Sequence, residues 1–434
     1  RNSFLATPLA PATERGDREE ATMQVVYPRA CGLDVHQKTV VACVLLTQPD
    51  GAVERRLTTF GTMTADLLAL HDWLERCGVT HIALESTGVY WRPVFNLLEG
   101  EGRTLLLVNP QHMRAVPGRK TDLKDAEWLA DLLRHGLLKA SFIPPLPIRD
   151  LRELSRYRKT LAQQRADEVN RVQKLLEGAN LKLAAVATDV LGVSGRAMLE
   201  AILAGEADPE VLAELAKGRL RAKLPALRRA LDGRVKPHHR VLLGQLLAHI
   251  EFLEESIAQL TEEIERCLAP FEDAAGLLAT IPGIGAVAAA AIVAEIGVDM
   301  GRFPSAKHLA SWAGVCPDTR ESGGKRQRSR TGSGNVWLRG MLGEVAWSAA
   351  RSKGTYLHAQ YHRLARRRGK HKAVMAVAHT LLVMIYHVLK TGRPYHELGG
   401  DYFDRLDAAR LERHHIRRLE QLGYTVTLTP KQAA

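Results

Sequence analysis

The chain has 434 residues, with 60 Lys and Arg against 48 Asp and Glu, a formal net charge of +12 and an isoelectric point near 9.6. That length carries two or three domains with their own cores, and the basic excess favours a polyanionic partner, nucleic acid before an anionic membrane. The five cysteines (Cys31, Cys43, Cys77, Cys267, Cys316) form no Cys-x-x-Cys pair and no metal-ligand spacing, which argues against a disulfide scaffold and a zinc site and for reduced thiols.

Residues 1–24 are rich in Pro, Thr and charge without periodicity, show no secretory signal, and read as a disordered tail. Three strand-like runs follow at 29–35, 39–47 and 52–60, joined by short turns, and are expected to pair antiparallel. Residues 63–77 have helical spacing (Leu67, Leu68, Leu70, Trp73, Leu74), 81–85 a short strand, 90–99 a helix, 103–108 a strand and 122–133 a helix. Three antiparallel strands followed by β-α-β-α crossovers describe a ribonuclease-H-like α/β layout, in which the first and fourth strands are neighbours.

That layout gathers carboxylates. Asp34 sits inside the first strand, where an unpaired charge is costly to bury, and Glu85 ends the fourth. Asp122 and Asp125 are three apart and share one helical face. Four such acids repel one another unless a divalent cation neutralises them, and hard Mg²⁺ or Mn²⁺ suits oxygen donors. Taken singly, Asp122 could equally cap its helix and Asp125 be solvated surface.

Residues 149–180 form a long charged helix, and 181–235 a set of Ala- and Leu-rich helical pieces broken at Gly192, Gly195, Pro209 and Pro225. Leu243, Leu246, Ile250, Leu253, Ile257, Leu260, Ile264 and Cys267 then alternate spacings of three and four, the seam of a two-stranded coiled coil. The helix at 149–177 would place Arg158 and Arg165 in the seam, so a second copy of the chain is the better expected partner. Ile281-Pro-Gly283-Ile-Gly285 between helical runs resembles a helix-hairpin-helix turn, whose glycines let backbone N–H groups approach a phosphate. An ordinary glycine turn on a packed helix fits the same residues. The run 316–335 is a glycine-rich loop dense in cations (Arg320, Lys325, Arg326, Arg328, Arg330) around Ser322, suited to wrapping a phosphate backbone. Helices are expected at 336–351, 356–368 and 372–390, the last apolar enough to imitate a membrane span but better explained as a buried core helix.

The ordered set Gly-Leu-Asp34-Val-His, Glu85-Ser-Thr-Gly, Lys-Thr-Asp122-Leu-Lys-Asp125, Ile-Pro-Gly283-Ile-Gly285, Ala-Gly-Val-Cys-Pro317, Ser322-Gly-Gly-Lys325 and Gly-Asn335-Val-Trp-Leu-Arg339 resembles the DEDD transposases of the insertion sequence 110 family. The resemblance covers about 25–398. It implies a RuvC-like metal-dependent domain at 25–145, a helical coiled-coil spacer at 146–272, a helical transposase domain with the nucleophile loop at 273–398, and an extension at 399–434. It implies an acidic quartet of Asp34, Glu85, Asp122 and Asp125 holding Mg²⁺ or Mn²⁺, and Ser322 as nucleophile; chemistry alone leaves Ser329 and Ser333 open. Its members are bacterial cytoplasmic enzymes acting on double-stranded DNA as homo-oligomers, dimers or tetramers, and some are guided by a structured RNA. Candidate nucleic-acid contacts are Gly283, Gly285, Arg320, Lys325, Arg326, Arg328, Arg330, Asn335 and Arg339. The expected reaction is cutting and rejoining of DNA strands through a covalent phosphoserine. Its rival is hydrolysis by a RuvC-like, junction-selective nuclease using the quartet alone. A sugar-kinase-like ATPase is disfavoured, because the Asp34-Val-His-Gln-Lys turn lacks the glycines of a phosphate loop.

Overall fold

A computed structural model describes residues 24–86, 88–100, 102–109, 122–317, 321–326, 331–332 and 334–429. The chain divides into two units, Arg1–Ile143 and Pro144–Ala434. The expected disordered tail lies, but for its last residue, outside the described residues.

The first unit is a five-stranded sheet of β1 (Arg29–Val35), β2 (Thr39–Thr47), β3 (Val53–Gly61), β4 (His81–Glu85) and β5 (Thr104–Val108). Its order is β3-β2-β1-β4-β5, with β1 to β3 antiparallel and β4 and β5 parallel to β1. The first and fourth strands are therefore adjacent, as the crossover pattern requires. Helices α1 (Thr64–Arg76) and α2 (Trp91–Leu98) cover one face, and α3 (Asp122–Arg134) the other. Strands β1 and β2 are near-continuous apolar runs because both their faces are covered. Alternation sends Cys31, Leu33 and Val35 toward Leu67, Leu70 and Leu74 of α1 and Phe95 of α2. Ala30, with Val41, Cys43 and Leu45 of β2, goes to the α3 side. β3 closes the sheet as a mostly exposed edge bearing Glu54, Arg55 and Arg56, charges that discourage further pairing.

Among the described residues, the second unit is helical apart from one hairpin. Helix α4 (Leu146–Gly178) lies along α5 (Pro237–Leu268). Here the expected partner of the heptad seam is corrected: α4 of the same chain takes it. Arg158 donates to Thr261 Oγ1 at 2.7 Å and Arg165 to Glu254 at 2.5 and 2.8 Å, so the two arginines that argued against this pairing are satisfied across it. Leu243, Ile250, Leu253 and Ile264 are buried, while Leu246, Ile257 and Leu260 are half-buried. The segment between α4 and α5 folds into short helices (Leu183–Val186, Val193–Ala204, Pro209–Glu214, Leu224–Leu231) around a core of its own, which includes Val172 and Leu176 of α4 and Leu247 of α5.

Beyond α5 come α6 (Glu272–Ala279), α7 (Ala286–Ile296), α8 (Ala306–Trp312), the hairpin β6 (Glu321–Ser322) and β7 (Lys325–Arg326), α9 (Val336–Arg351), α10 (Tyr356–Arg368), α11 (Lys370–Thr391), α12 (Tyr402–Leu406) and α13 (Ala408–Glu420). The 22-residue α11 is long and apolar enough to cross a bilayer, yet it packs among α6, α8, α9 and α10. It buries Val374, Val377, Leu381, Leu382, Ile385 and Tyr386.

Candidate functional site

In the first unit the site is set by where α3 meets β1. The N–H groups of Val26 and Tyr27 donate to Arg134 O at 2.8 and 3.0 Å, so the end of α3 lies at the start of β1 and its beginning toward the end of β1. Between these points the two backbones nearly touch. A Cβ on Gly32 would overlap Ala126 O and stand 2.5 Å from Ala130 N. Two residues past Gly32 on the same sheet face stands Asp34, whose cross-strand partner Val41 packs with Ala126. The parallel register pairs Leu33 with Leu84, which sets Glu85 level with Asp34. Glu85 pairs on its other side with Val108, which packs on Leu129 and Leu133 of α3. Asp34, Glu85 and the first turn of α3, with the half-buried Asp125, therefore share one end of the sheet and one face.

Asp122 opens α3, and its side chain lies outside the described residues. Among the described residues, the His, Cys, Asp and Glu side chains that bring three ligand atoms within 4.8 Å of one another are His71, Asp72 and Glu75 of α1. Asp34, Glu85 and Asp125 share an edge without closing to that distance. Sequence reasoning passed over His36 as a site residue. Its Nε2 lies 3.1 Å from Asp34 Oδ2, and the i, i+2 spacing across the end of β1 was the available signal.

In the second unit the described part of the 316–335 run includes a tight hairpin. Ser322 pairs with Lys325 across a two-residue turn, and both turn residues, Gly323 (φ +58°) and Gly324 (φ +73°), are left-handed. That is the type I′ hairpin geometry, which non-glycine residues enter only at a cost. The Gly-Gly after the serine thus fixes its backbone at a hairpin tip. Pro317 and Thr331 bridge below it, and Gly314 and Gly334 meet backbone to backbone. Arg320, Arg328 and Arg330 lie outside the described residues, as do the side chains of Ser322, Lys325 and Arg326.

The hairpin leads into a buried polar knot. Asn335 caps α9, its Oδ1 accepting from the N–H groups of Trp337 and Leu338 at 3.0 and 3.1 Å, while its Nδ2 donates to Glu295 Oε2 at 2.6 Å. Glu295 is 4% exposed and receives a two-pronged contact from Arg156 at 2.7 and 2.8 Å. Arg152 donates to the carbonyl oxygens of Ala294 and Glu295 at the end of α7. The structure gives Asn335 this internal work, and Arg339 donates to Gly332 O. Gly283 (φ +93°) is likewise a packing position: a Cβ there would stand 2.7 Å from Ala349 N of α9. Gly285, the N-cap of α7, has nothing against it.

Models of two families match the chain: one described as transposase over residues 31–181, and one described as transposase of the IS116/IS110/IS902 family over residues 275–362. The chain is 36% identical over 155 residues to the pilin gene-inverting protein of Moraxella bovis, covering 34% of this chain and 47% of that protein, so it spans about half the length of that relative. It is 26% identical over 336 residues to the mini-circle putative transposase for IS117 of Streptomyces coelicolor, covering 68% of this chain and 78% of that one. An IS900 insertion-element protein of Mycobacterium paratuberculosis is 28% identical over 330 residues, covering 67% and 80%.

Proposed function

This chain belongs to the IS116/IS110/IS902 transposase family, and from that premise we propose that it is a site-specific recombinase of double-stranded DNA that works through a covalent serine intermediate. The observation that carries the proposal is the convergence of Asp34, Glu85 and the first turn of α3 at one sheet end, in a chain that also holds Ser322 at a glycine-fixed hairpin tip. On this reading the first unit is RuvC-like. Asp34, Glu85, Asp122 and Asp125 would hold Mg²⁺ or Mn²⁺, and an all-carboxylate donor set on one face fits such hard ions. A divalent cation bound there would supply Lewis-acid polarisation of the scissile phosphate.

The chain's own residues do the rest. His36 holds the Asp34 carboxylate in place. Ser322 Oγ gives up its proton and forms a bond to phosphorus, the P–O bond to the leaving deoxyribose oxygen breaks, and that oxygen takes up a proton as a free hydroxyl. The phosphoserine ester conserves the bond energy, so a second strand's hydroxyl can reverse the step and reseal without ATP. The acting form is proposed to be a cytoplasmic homo-oligomer, which would not draw on Leu243, Ile250 or Leu253, since α4 is beside them. A structured guide RNA is part of the same proposal.

The test is adduct formation on duplex DNA carrying the element's ends. Wild type is expected to give a protein–DNA adduct that survives denaturation, and Ser322→Ala none. Asp34→Asn should slow the step by about a thousandfold, the scale of losing key charge stabilisation of a transition state, without loss of DNA affinity. Adducts formed by Ser322→Ala would defeat the assignment, and free nicked ends without adduct would favour the hydrolytic reading.

A further inference from the structure

Residues 345–396 contain ten Lys and Arg and no Asp or Glu, so a stretch of about an eighth of the chain carries charge nearly equal to the whole chain's net +12. Six of those cations (Arg363, Arg366, Arg367, Arg368, Lys370, Lys372) lie at the elbow where α10 ends and α11 begins, with Gly369 at φ +81° between the helices. All six are exposed. Arg363, Arg366 and Arg367 stand at i, i+3 and i+4 and form one ridge on α10.

This elbow is costly to the fold standing alone. Among the described residues, Arg366, Arg367, Arg368, Lys370 and Lys372 have no ion-pair partner. Lys370 and Lys372 also occupy the first turn of α11, where the helix dipole repels cations. The ridge is nevertheless braced. The Arg363 guanidinium lies 4.8 Å from the centre of the Phe403 ring, and Phe403 stacks on Tyr356 at 5.2 Å. The extension after residue 398 thereby props the outer side of α10, and the packed α11 supports the inner side.

We propose that the α10–α11 elbow is a phosphate-binding ridge that seats duplex DNA by its backbone, independently of base sequence. The inference rests on the recombinase reading above and adds a surface beyond residues 275–362, where the family match ends. Charge complementarity identifies a polyanion, and the surroundings select which one. No large hydrophobic side chain is exposed between Trp347 and Leu398 among the described residues, so the elbow lacks the apolar wedge of a membrane-surface helix. The same lack removes the exposed Phe, Tyr or Trp platform on which single strands stack their bases. What remains suits the rigid phosphate rails of a duplex.

The experiment measures binding of the full chain to a labelled duplex of arbitrary sequence, about 30 base pairs long, between about 50 and 200 mM salt. The variant R366Q/R367Q/R368Q/K370Q/K372Q is expected to lose at least about tenfold in affinity at the low-salt end. Its plot of log affinity against log salt should flatten by about 0.9 for each phosphate contact removed. The charge-keeping R366K/R367K/R368K should stay within about twofold of wild type, because counterion release counts charge rather than side-chain shape. K370Q/K372Q should bind DNA more weakly while melting at a slightly higher temperature, opposite signs that a folding defect cannot produce.

Unchanged affinity and slope in the five-site variant would overturn the proposal. So would an equal loss in the lysine variant, or a loss confined to structured RNA or to anionic phospholipid vesicles. The reading of the chemistry fails separately. If wild type forms no serine adduct while the five-site variant still loses duplex binding, the ridge stands and the recombinase mechanism does not.

Discussion

At the scale of single residues, the acidic end of the first unit depends on a methyl group that is not there. Gly32→Ala would press a Cβ into the backbone of α3, an overpacking expected to destabilise by about 1–3 kcal/mol or more and to lower the denaturant midpoint of that unit. Asp34 and Glu85 were legible in the sequence because strand alternation and crossover counting fix both face and neighbour. The part played by Gly32 was not, because a close approach between distant segments leaves no local signature. Cys43 offers a second check. Burial, aided by the Glu127 carboxylate and opposed by Arg55, pushes its thiol up to about 11. Cys31 is raised well above its ordinary value by burial first and then by Cys43 and Cys77. At pH 8 both should be thiols and resist alkylation in the folded protein, then react fully once denaturant is added; rapid labelling of either in native buffer would contradict their burial.

At the scale of elements, the heptad seam of α5 showed that a partner existed but not which one. Periodicity records an apolar stripe, and either a second chain or α4 can cover it. Arg158 and Arg165 looked like misfits only because their partners, Thr261 and Glu254, sit on the facing helix and cannot be read from α4 alone. The knot at Glu295 was similarly hidden, although a lone acid in the Ala-rich run 286–296 hinted at a buried charge in need of cations. It ties α4, α7 and the cap of α9 together, so Glu295→Ala strands Arg156 and Asn335 in a half-buried site. The expected cost is about 3–5 kcal/mol, the range for breaking one side of a buried pair, read from the denaturant midpoint of the second unit. A Glu295→Gln protein keeps the shape and part of the hydrogen bonding, and should lose less.

At the scale of the molecule, the division at residues 143 and 144 gives two compact units, each with its own packing. Unfolding followed by tryptophan fluorescence and circular dichroism should accordingly resolve two transitions. Gly32→Ala should move one and Glu295→Ala the other; a single transition shifted by both would contradict the division. Strands, helices and their order in the first unit were readable because each spans several repeats of its period. The hairpin at 321–326 was not recognised, since its signal is two glycines and its strands are two residues each. The contact at Gly32 also has a genetic consequence. The atoms it meets, Ala126 O and Ala130 N, belong to the main chain and persist whatever side chain stands at 126 or 130. A search for second-site revertants of Gly32→Ala should therefore find none at those two positions, because no side-chain change there removes the atoms that a Cβ at 32 would meet.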